Sequence, residues 1–278
     1  MILKKLIKFV TAGFLSVVAL AVMPRVVAAG PNVSVLAFGL VGSQSVFESE
    51  AEGAAAILGQ RLGADDVVAR SNTKTRGDVT IEAIGAAVRT AAVKMDHEND
   101  LLALILTSHG SPDGVAVEAG RRVEILSPSA LANMLGSVGV RHRIVIISAC
   151  YSGVFLRPLA NDDTLVITAA DSKHSSFGCQ DKVKWTYFGD AFFNTALRRT
   201  ADLRQAFSEA RAIVRQRELH YHLVPSNPQI AGGKNIDVLL GETAGARRLV
   251  ISLGSTVLTC GLLCDHFAIL WDVGFERA

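Results

Sequence analysis

The sequence predicts an α/β fold in which a mainly parallel β-sheet carries helices on both faces. Two unbroken apolar runs, residues 101–106 and 144–147, are typical of strands that are buried on both faces. Segments with helical spacing of apolar residues alternate with such runs along the chain. This alternation favours parallel strands, because a parallel pair needs a crossover that is usually a helix. With 278 residues, the chain is long enough for one large domain of this kind.

Local patterns place the individual elements. Residues 33–39 alternate and then become apolar, as expected for a strand that enters a core. Ser127 and Pro128 are typical of a helix cap and first helical position, and residues 115–125 predict a small hairpin. In chain order, the predicted strands are 33–39, 66–69, 101–106, 144–147, 164–169 and 236–240, and the predicted helices are 47–62, 81–95, 128–138, 187–197 and 203–219.

Residues 1–29 are expected to be a signal peptide. Three lysines among the first eight residues give a basic start, residues 9–22 form an apolar core, and small residues at 27–29 precede Gly30. We therefore expect an exported protein, periplasmic or secreted, whose folded domain spans residues 30–241. An uncleaved membrane anchor is the alternative, although the apolar core is short for a membrane span.

Residues 242–278 form an apolar tail of unknown role. The apolar run 249–264 within it is short for a membrane span and has charged residues close on each side. We expect this tail to pack on the domain or to be poorly ordered. Membrane association through the N-terminal or the C-terminal apolar segment is the alternative.

Composition argues against several classes of partner. A formal net charge of +2 gives no basis for binding nucleic acid or a polyanionic surface. Four cysteines with irregular spacing do not form a disulfide scaffold, so we assign no bond. His220 and His222 lack further metal-ligating residues at ligand spacing, so we expect no metal and no other cofactor.

A cysteine and a histidine follow the two buried strands. Cys150 comes soon after the run 144–147, and His109 comes soon after the run 101–106. If these strands are parallel neighbours, both residues emerge at the same edge of the sheet, where sites are built. An imidazole within hydrogen-bond reach raises the thiolate fraction of a cysteine and later protonates a leaving amine. Cys150 and His109 are the candidate nucleophile and base, and a buried core cysteine is the alternative for Cys150.

Five short sequence blocks in this chain occur in the order of a known peptidase family. His109-Gly110-Ser111 and Ser148-Ala149-Cys150-Tyr151-Ser152-Gly153 are the first two, and three more lie at 168–170, 175–179 and 186–190. They resemble the signatures of the legumain (asparaginyl endopeptidase) family of cysteine peptidases. The histidine precedes the cysteine by 41 residues, which is also the approximate spacing in the caspase-like fold. The resemblance covers residues 32–240 and implies a caspase-like three-layer sandwich.

The same resemblance implies roles for further site residues. The N–H groups of Gly110 and Cys150 would bind the developing oxyanion, with turn chemistry as the alternative role for Gly110. Asp190, Ser148 and Ser175 would bind substrate. Ser148 stands where the family has an acidic residue, and the family's arginine after the first strand is missing, so a preference for asparagine is not implied. The alternative for Asp190 is a favourable charge at a helix N-terminus.

The expected function is that of an exported cysteine endopeptidase. It would hydrolyse peptide or protein substrates through a Cys150 thioacyl-enzyme, with His109 as general base and acid. The alternatives are a transpeptidase that resolves the same intermediate with an amine, and a catalytically silent peptide-binding module. An Asp190 carboxylate without a cationic partner would favour arginine or lysine at P1, the substrate residue just before the cut.

Overall fold

The computed structural model describes residues 30–242. The predicted signal peptide and residues 243–278 of the predicted tail lie outside the described residues, and so do both apolar segments considered for membrane association. Within the described range, no helix is both long and apolar enough to cross a membrane.

Strands and helices alternate through most of the described chain. The strands are β1 (Val33–Gly39), β2 (Asp66–Ser71), β3 (Leu101–Thr107), β4 (Gly110–Ser111), β5 (Gly114–Ala119), β6 (Arg122–Leu126), β7 (His142–Ser148), β8 (Thr164–Thr168) and β9 (Gln229–Gly232). The α-helices are α1 (Ser45–Leu62), α2 (Ile81–Ala92), α3 (Pro128–Ser137), α4 (Leu156–Leu159), α5 (Tyr187–Gly189), α6 (Leu203–His220) and α7 (234–242). A 3₁₀ turn, Ser152–Phe155, precedes α4, and a π-helix, Asp190–Ala196, follows α5.

The main sheet has the strand order β2-β1-β3-β7-β8-β9. The first five strands run parallel to one another, and β9 pairs antiparallel with β8. Strands β1, β3 and β8 are buried along their whole length, which explains their predominantly apolar sequences. A second, smaller sheet contains β4, β5 and β6, and its hairpin confirms the one predicted at 115–125.

Helices cover both faces of the main sheet and form two apolar cores. Successive residues of a strand point to opposite faces, so Val35 of β1 lies in one core and Leu36 lies in the other. Helices α1 and α6 pack in the first core, and α2 and α3 pack in the second. The structure thus has three layers and confirms the predicted fold class.

Two predicted elements differ from the structure. The strand predicted at 236–240 lies within α7, and the last strand is β9, which precedes it. A short apolar run does not by itself distinguish a strand from a buried helical turn. The chain reverses at Gly232 and Gly233, whose φ angles are 72° and 77°. The helix predicted at 187–197 is divided into α5 and the π-helix, a form that sequence periodicity does not indicate.

Candidate active site

Strand register brings the candidate nucleophile and base to one edge of the sheet. β3 and β7 are parallel neighbours, and Thr107 pairs with Ser148 at their carboxyl ends. His109 and Cys150 each lie two residues beyond these partners, and adjacent strands are about 4.8 Å apart. The Ser108 N–H donates to the Ser148 carbonyl at 3.1 Å and continues the pairing past the strand ends. The parallel pairing on which the sequence-based expectation depended is therefore present.

Gly110 lies directly against the backbone of Cys150. A Cβ atom on residue 110 would stand 2.0 Å from the Cys150 carbonyl oxygen, a distance that no side chain tolerates. The neighbouring carbonyl of His109 accepts a hydrogen bond of 2.9 Å from the Ala116 N–H, which ties this turn to β5. Glycine at 110 thus permits the contact between the histidine turn and the cysteine turn.

Gly110→Ala is expected to lower peptide cleavage by about 10²-fold, because the added methyl group must push the histidine turn away from Cys150. The measurement is kcat/KM on a peptide substrate, with thermal unfolding as a check on folding. Gly136→Ala is the matched control, since an added Cβ at position 136 meets nothing within 4 Å. Equal activity of the two variants would show that the close contact is not needed.

The Cys150 thiol is half-buried and is held by the segment that follows β8. The Ser176 N–H donates to Sγ at 3.3 Å, and the thiol can donate to the Ser176 carbonyl at 3.5 Å. Tyr151, the next residue, has a left-handed backbone with φ of 54°, which costs about 1 to 2 kcal/mol. Its N–H donates to the His174 carbonyl at 2.9 Å, and this bond stabilises the turn. These contacts fix the position of Sγ at the end of the turn.

The His109 ring is oriented by two residues near the start of α1. Nε2 lies 2.5 Å from Gln44 Oε1, and the ring meets the Phe47 ring edge-on at a centroid distance of 5.0 Å. Because the amide oxygen accepts the Nε2 proton, Nδ1 is left without one and can act as a base. Burial lowers the pKa of His109 below its ordinary value, while the Glu118 carboxylate opposes this effect. The imidazole is therefore neutral at physiological pH.

A buried carboxyl group lies beneath the site. Glu50 of α1 is 0% exposed, and it accepts hydrogen bonds from the Thr107 hydroxyl at 2.9 Å and the Thr186 N–H at 2.7 Å. A Cβ on Gly189 would stand 2.0 Å from Glu50 Oε2, so only glycine fits there. Burial raises the pKa of Glu50 above its ordinary value. Hydrogen bonds from Ser148 and the two threonines oppose this increase only in part. Glu50 thus joins the ends of β3 and β7 to the α5 segment.

Glu50→Gln is expected to change how stability depends on pH. Since the folded-state pKa of Glu50 is raised, its protonated carboxyl group contributes to the unfolding free energy of the wild type at low pH. The wild type loses this contribution as the pH rises from about 4.5 through the folded-state pKa. Glutamine at position 50 does not ionise, so the unfolding free energy of the variant should increase relative to that of the wild type over this pH range. Urea unfolding of both proteins between about pH 4 and about pH 8 measures the difference. A difference that stays constant with pH would contradict the assigned cause.

Asp190 has a cationic partner that the sequence did not indicate. Arg217 of α6 donates to Asp190 Oδ2 at 2.8 Å, and Asn194 donates to Oδ1 at 2.9 Å. The guanidinium also lies 4.8 Å from the centre of the Tyr187 ring. The premise of an unpartnered carboxylate is therefore wrong, because a residue distant in sequence supplies the missing charge. The expected preference for arginine or lysine at P1 loses its physical basis.

The two serines predicted to bind substrate differ in burial. Ser148 is 2% exposed, and its hydroxyl is 3.1 Å from that of Thr186. Ser175 is half-buried and precedes Ser176, whose contacts with Cys150 no sequence pattern predicted. Substrate binding by Ser148 and Ser175 stays a prediction.

A second cysteine, Cys179, lies near the site and is half-buried. Cys179 packs beside Val41, Val46 and Phe47 and forms no disulfide. Burial raises the pKa of its thiol to about 12, and the nearby Cys150 and Glu50 charges add to this effect. The raised pKa makes Cys179 a poor nucleophile at neutral pH.

A cleft of about 330 Å³ has Gln44, the hydrogen-bond partner of His109, in its wall. It lies between the start of α1 and the loop after β2, and its wall includes Gln44, Lys74 and Asp181. Asp181 accepts hydrogen bonds from the N–H and hydroxyl of Ser45, which lowers the pKa of its carboxyl group and ties the segment before α5 to α1. Within residues 30–242, no three residues among His, Cys, Asp and Glu are grouped so as to hold a metal ion.

Several site residues had only weak signals in the sequence. Glu50 has the clearest of these signals. It lies three positions after Phe47 and four before Ala54, so it falls on the buried stripe of an amphipathic helix. Gln44 follows the first strand at the same sheet edge, but nothing local links it to His109. Arg217 has no local signal at all.

Comparison with known proteins places these residues in a family context. A model of the peptidase C13 family matches residues 75–231, which include His109, Cys150 and Asp190. Among solved structures, the chain is similar to the crystal structure of caspase-1 from Spodoptera frugiperda, with 16% sequence identity and a TM-score of 0.48. That similarity covers 73% of this chain and 88% of the other. No curated protein matches the sequence.

Proposed function

Because this chain belongs to the peptidase C13 family of cysteine peptidases, we propose that it is an exported endopeptidase that cleaves peptide bonds through a thioacyl-enzyme on Cys150. The observation that carries the proposal is the junction of two turns at the sheet edge. Gly110, next to His109, lies so close to the Cys150 carbonyl that a Cβ would be 2.0 Å from it. This contact supports a shared site for the histidine and the cysteine.

The first chemical step forms the thioester. His109 Nδ1 accepts the Cys150 proton while Nε2 stays bound to Gln44, and the thiolate attacks the scissile carbonyl carbon. The bond between that carbon and the amide nitrogen then breaks. The protonated imidazole gives its proton to the leaving amine, so His109 returns to its neutral form.

The second step releases the acyl group. Neutral His109 accepts a proton from water, and the resulting hydroxide attacks the thioester carbon. The C–S bond breaks, Cys150 leaves as thiolate, and the imidazolium reprotonates it. The Ser176 N–H, 3.3 Å from Sγ, supports this step because it stabilises the departing thiolate.

Two backbone N–H groups are proposed to stabilise the oxyanion in both steps. They belong to Gly110 and Cys150, which lie together at the sheet edge. Among the hydrogen bonds of residues 30–242, the Tyr151 N–H is used by His174, whereas none uses the Cys150 N–H. A donor left unused by the protein is suited to an oxygen that appears only during the reaction.

A peptide library with the purified mature protein tests the proposal. Internal cleavage, identified by mass spectrometry as new carboxyl and amino termini, is expected. Recovery of only ligated products with an added amine would instead favour a transpeptidase. Failure both to cleave the library and to react with a peptide acyl probe would reject the enzymatic interpretation.

Export is proposed from the basic start, the apolar core and the small residues at 27–29. The mature protein is expected to begin at or near Gly30. N-terminal sequencing of protein purified from its native compartment measures this directly. Recovery of Met1 on cytoplasmic protein would overturn the proposal.

A further inference from the structure

A cavity of about 450 Å³ lies between α6 and the segment that leads into β9. Arg211 and Arg215 form one wall, a single helical turn apart, and both are exposed. Asn227 and Pro228 form the opposite wall. The cavity is thus open to solvent and carries two guanidinium groups on the same side.

These two arginines differ from the other arginines of α6. Arg204 pairs with Asp237, and Arg217 pairs with Asp190. Within residues 30–242, neither Arg211 nor Arg215 forms an ion pair or a side-chain hydrogen bond. Two neighbouring guanidinium groups without a protein partner repel each other and gain most from an added anion.

The acidic residue of the cavity wall does not neutralise them. Glu218 is 1% exposed, and its carboxylate accepts hydrogen bonds from both the N–H and the hydroxyl of Ser226. These bonds fix the 226–228 segment against α6. The carboxylate is therefore engaged inside the protein, while Arg211 and Arg215 are exposed.

The cavity wall is connected to the cysteine turn by a short series of hydrogen bonds. The Asp171 N–H donates to the Ser226 carbonyl at 2.9 Å, and Asn227 Nδ2 donates to the Asp171 carboxylate at 3.0 Å. The same carboxylate accepts from His174 Nδ1 at 2.7 Å, and the His174 carbonyl accepts the Tyr151 N–H. Tyr151 follows Cys150, so these hydrogen bonds link the cavity wall to the cysteine turn.

We propose that this cavity is a substrate subsite that binds a carboxylate side chain of the peptide, a few residues from the scissile bond. The proposal rests on the endopeptidase function proposed above. An extended peptide advances about 3.3 Å per residue, so only an acidic residue at one distance from the scissile bond would meet Arg211 and Arg215. A carboxylate there forms charge-assisted hydrogen bonds with two groups that otherwise have none.

The test measures peptide binding without turnover, in the full chain carrying Cys150→Ala. Labelled peptides carry a single glutamate that is moved one position at a time, and each has a glutamine counterpart. At one position, glutamate is expected to bind about tenfold more tightly than glutamine, as for one hydrogen bond to a charged group. Arg211→Gln with Arg215→Gln should remove that preference.

The matched control is Arg89→Gln with Arg157→Gln, which removes the same charge from exposed arginines on α2 and α4. It should keep the glutamate preference. Thermal unfolding should be the same for both double variants, because the substituted residues are exposed. Replacement of Arg211 and Arg215 by lysine should retain part of the preference, since it keeps the charge but not the fork of donors.

Equal binding of glutamate and glutamine peptides at every position would overturn the subsite. So would a glutamate preference that survives removal of both arginines. Competition by inorganic phosphate without any glutamate preference would also overturn it. Failure of the peptidase proposal gives a different result. In that case wild type cleaves no peptide, while binding to the Cys150→Ala protein still decides whether the cavity selects a carboxylate.

Discussion

Cys150→Ala is expected to abolish covalent labelling by a peptide acyl probe and to lower cleavage by about 10⁴-fold or more, as for loss of a catalytic nucleophile. The physical reason is that the thioacyl intermediate requires the sulfur of this residue. The measurements are the mass of the probe-treated protein, with peptide mapping of the modified residue, and kcat/KM on a cleaved peptide. Undiminished cleavage would end the cysteine-peptidase mechanism proposed at this position.

Cys179→Ala is the matched control for that experiment. Both cysteines lie in the same region, but burial raises the pKa of the Cys179 thiol to about 12. The Cys179→Ala protein should therefore still accept one probe molecule, on Cys150. Labelling of Cys179 in the wild type would show that the assignment of the reactive thiol is wrong.

His109→Ala is expected to lower kcat/KM by about 10² to 10⁴-fold, the usual contribution of a general base. In the wild type, the acid limb of the pH profile should lie below the ordinary imidazole pKa of 6.5, because burial lowers the pKa of His109. The base must be neutral to accept the thiol proton, so activity rises as the pH increases through that lowered value. Steady-state kinetics across this range, for both proteins, measure the effect.

The control for His109 is His97→Ala. His97 lies in an exposed loop, where Nε2 is 3.1 Å from the Ala92 carbonyl. Its replacement should leave both kcat/KM and the acid limb unchanged. An acid limb at or above pH 6.5 in wild type would indicate that a group other than His109 is titrating.

Local patterns were sufficient to predict most of the sheet and the position of His109 and Cys150 at one sheet edge. The runs that became β3 and β7 are apolar at every position in the part that crosses the core, which is typical of parallel strands covered on both faces. Such runs end where the chain leaves the core, so His109 and Cys150 had to follow at a sheet edge. The hairpin of β5 and β6 and the helix α3 were likewise predicted from turn and cap residues.

The surroundings of the pair depended on contacts between distant parts of the chain. Gln44 reaches His109 across 65 residues, and Glu50 reaches Thr107 across 57. Arg217 neutralises Asp190 from 27 residues away. No periodicity or spacing encodes such pairs, and the contact of Arg217 with Asp190 removed the premise of the predicted preference for a cationic P1.

By itself, the sequence determined the fold class, the family and the positions of His109 and Cys150 just after two central strands. Each of these depends on local composition, because burial of a whole strand requires apolar residues in succession, and the residues just after a strand emerge at the sheet edge. Only the tertiary structure decided the orientation of His109, the buried carboxyl of Glu50, the neutralised Asp190 and the lack of partners for Arg211 and Arg215 within residues 30–242. Those properties depend on which side chains meet after the layers pack, since charge pairing and desolvation act through space rather than along the chain.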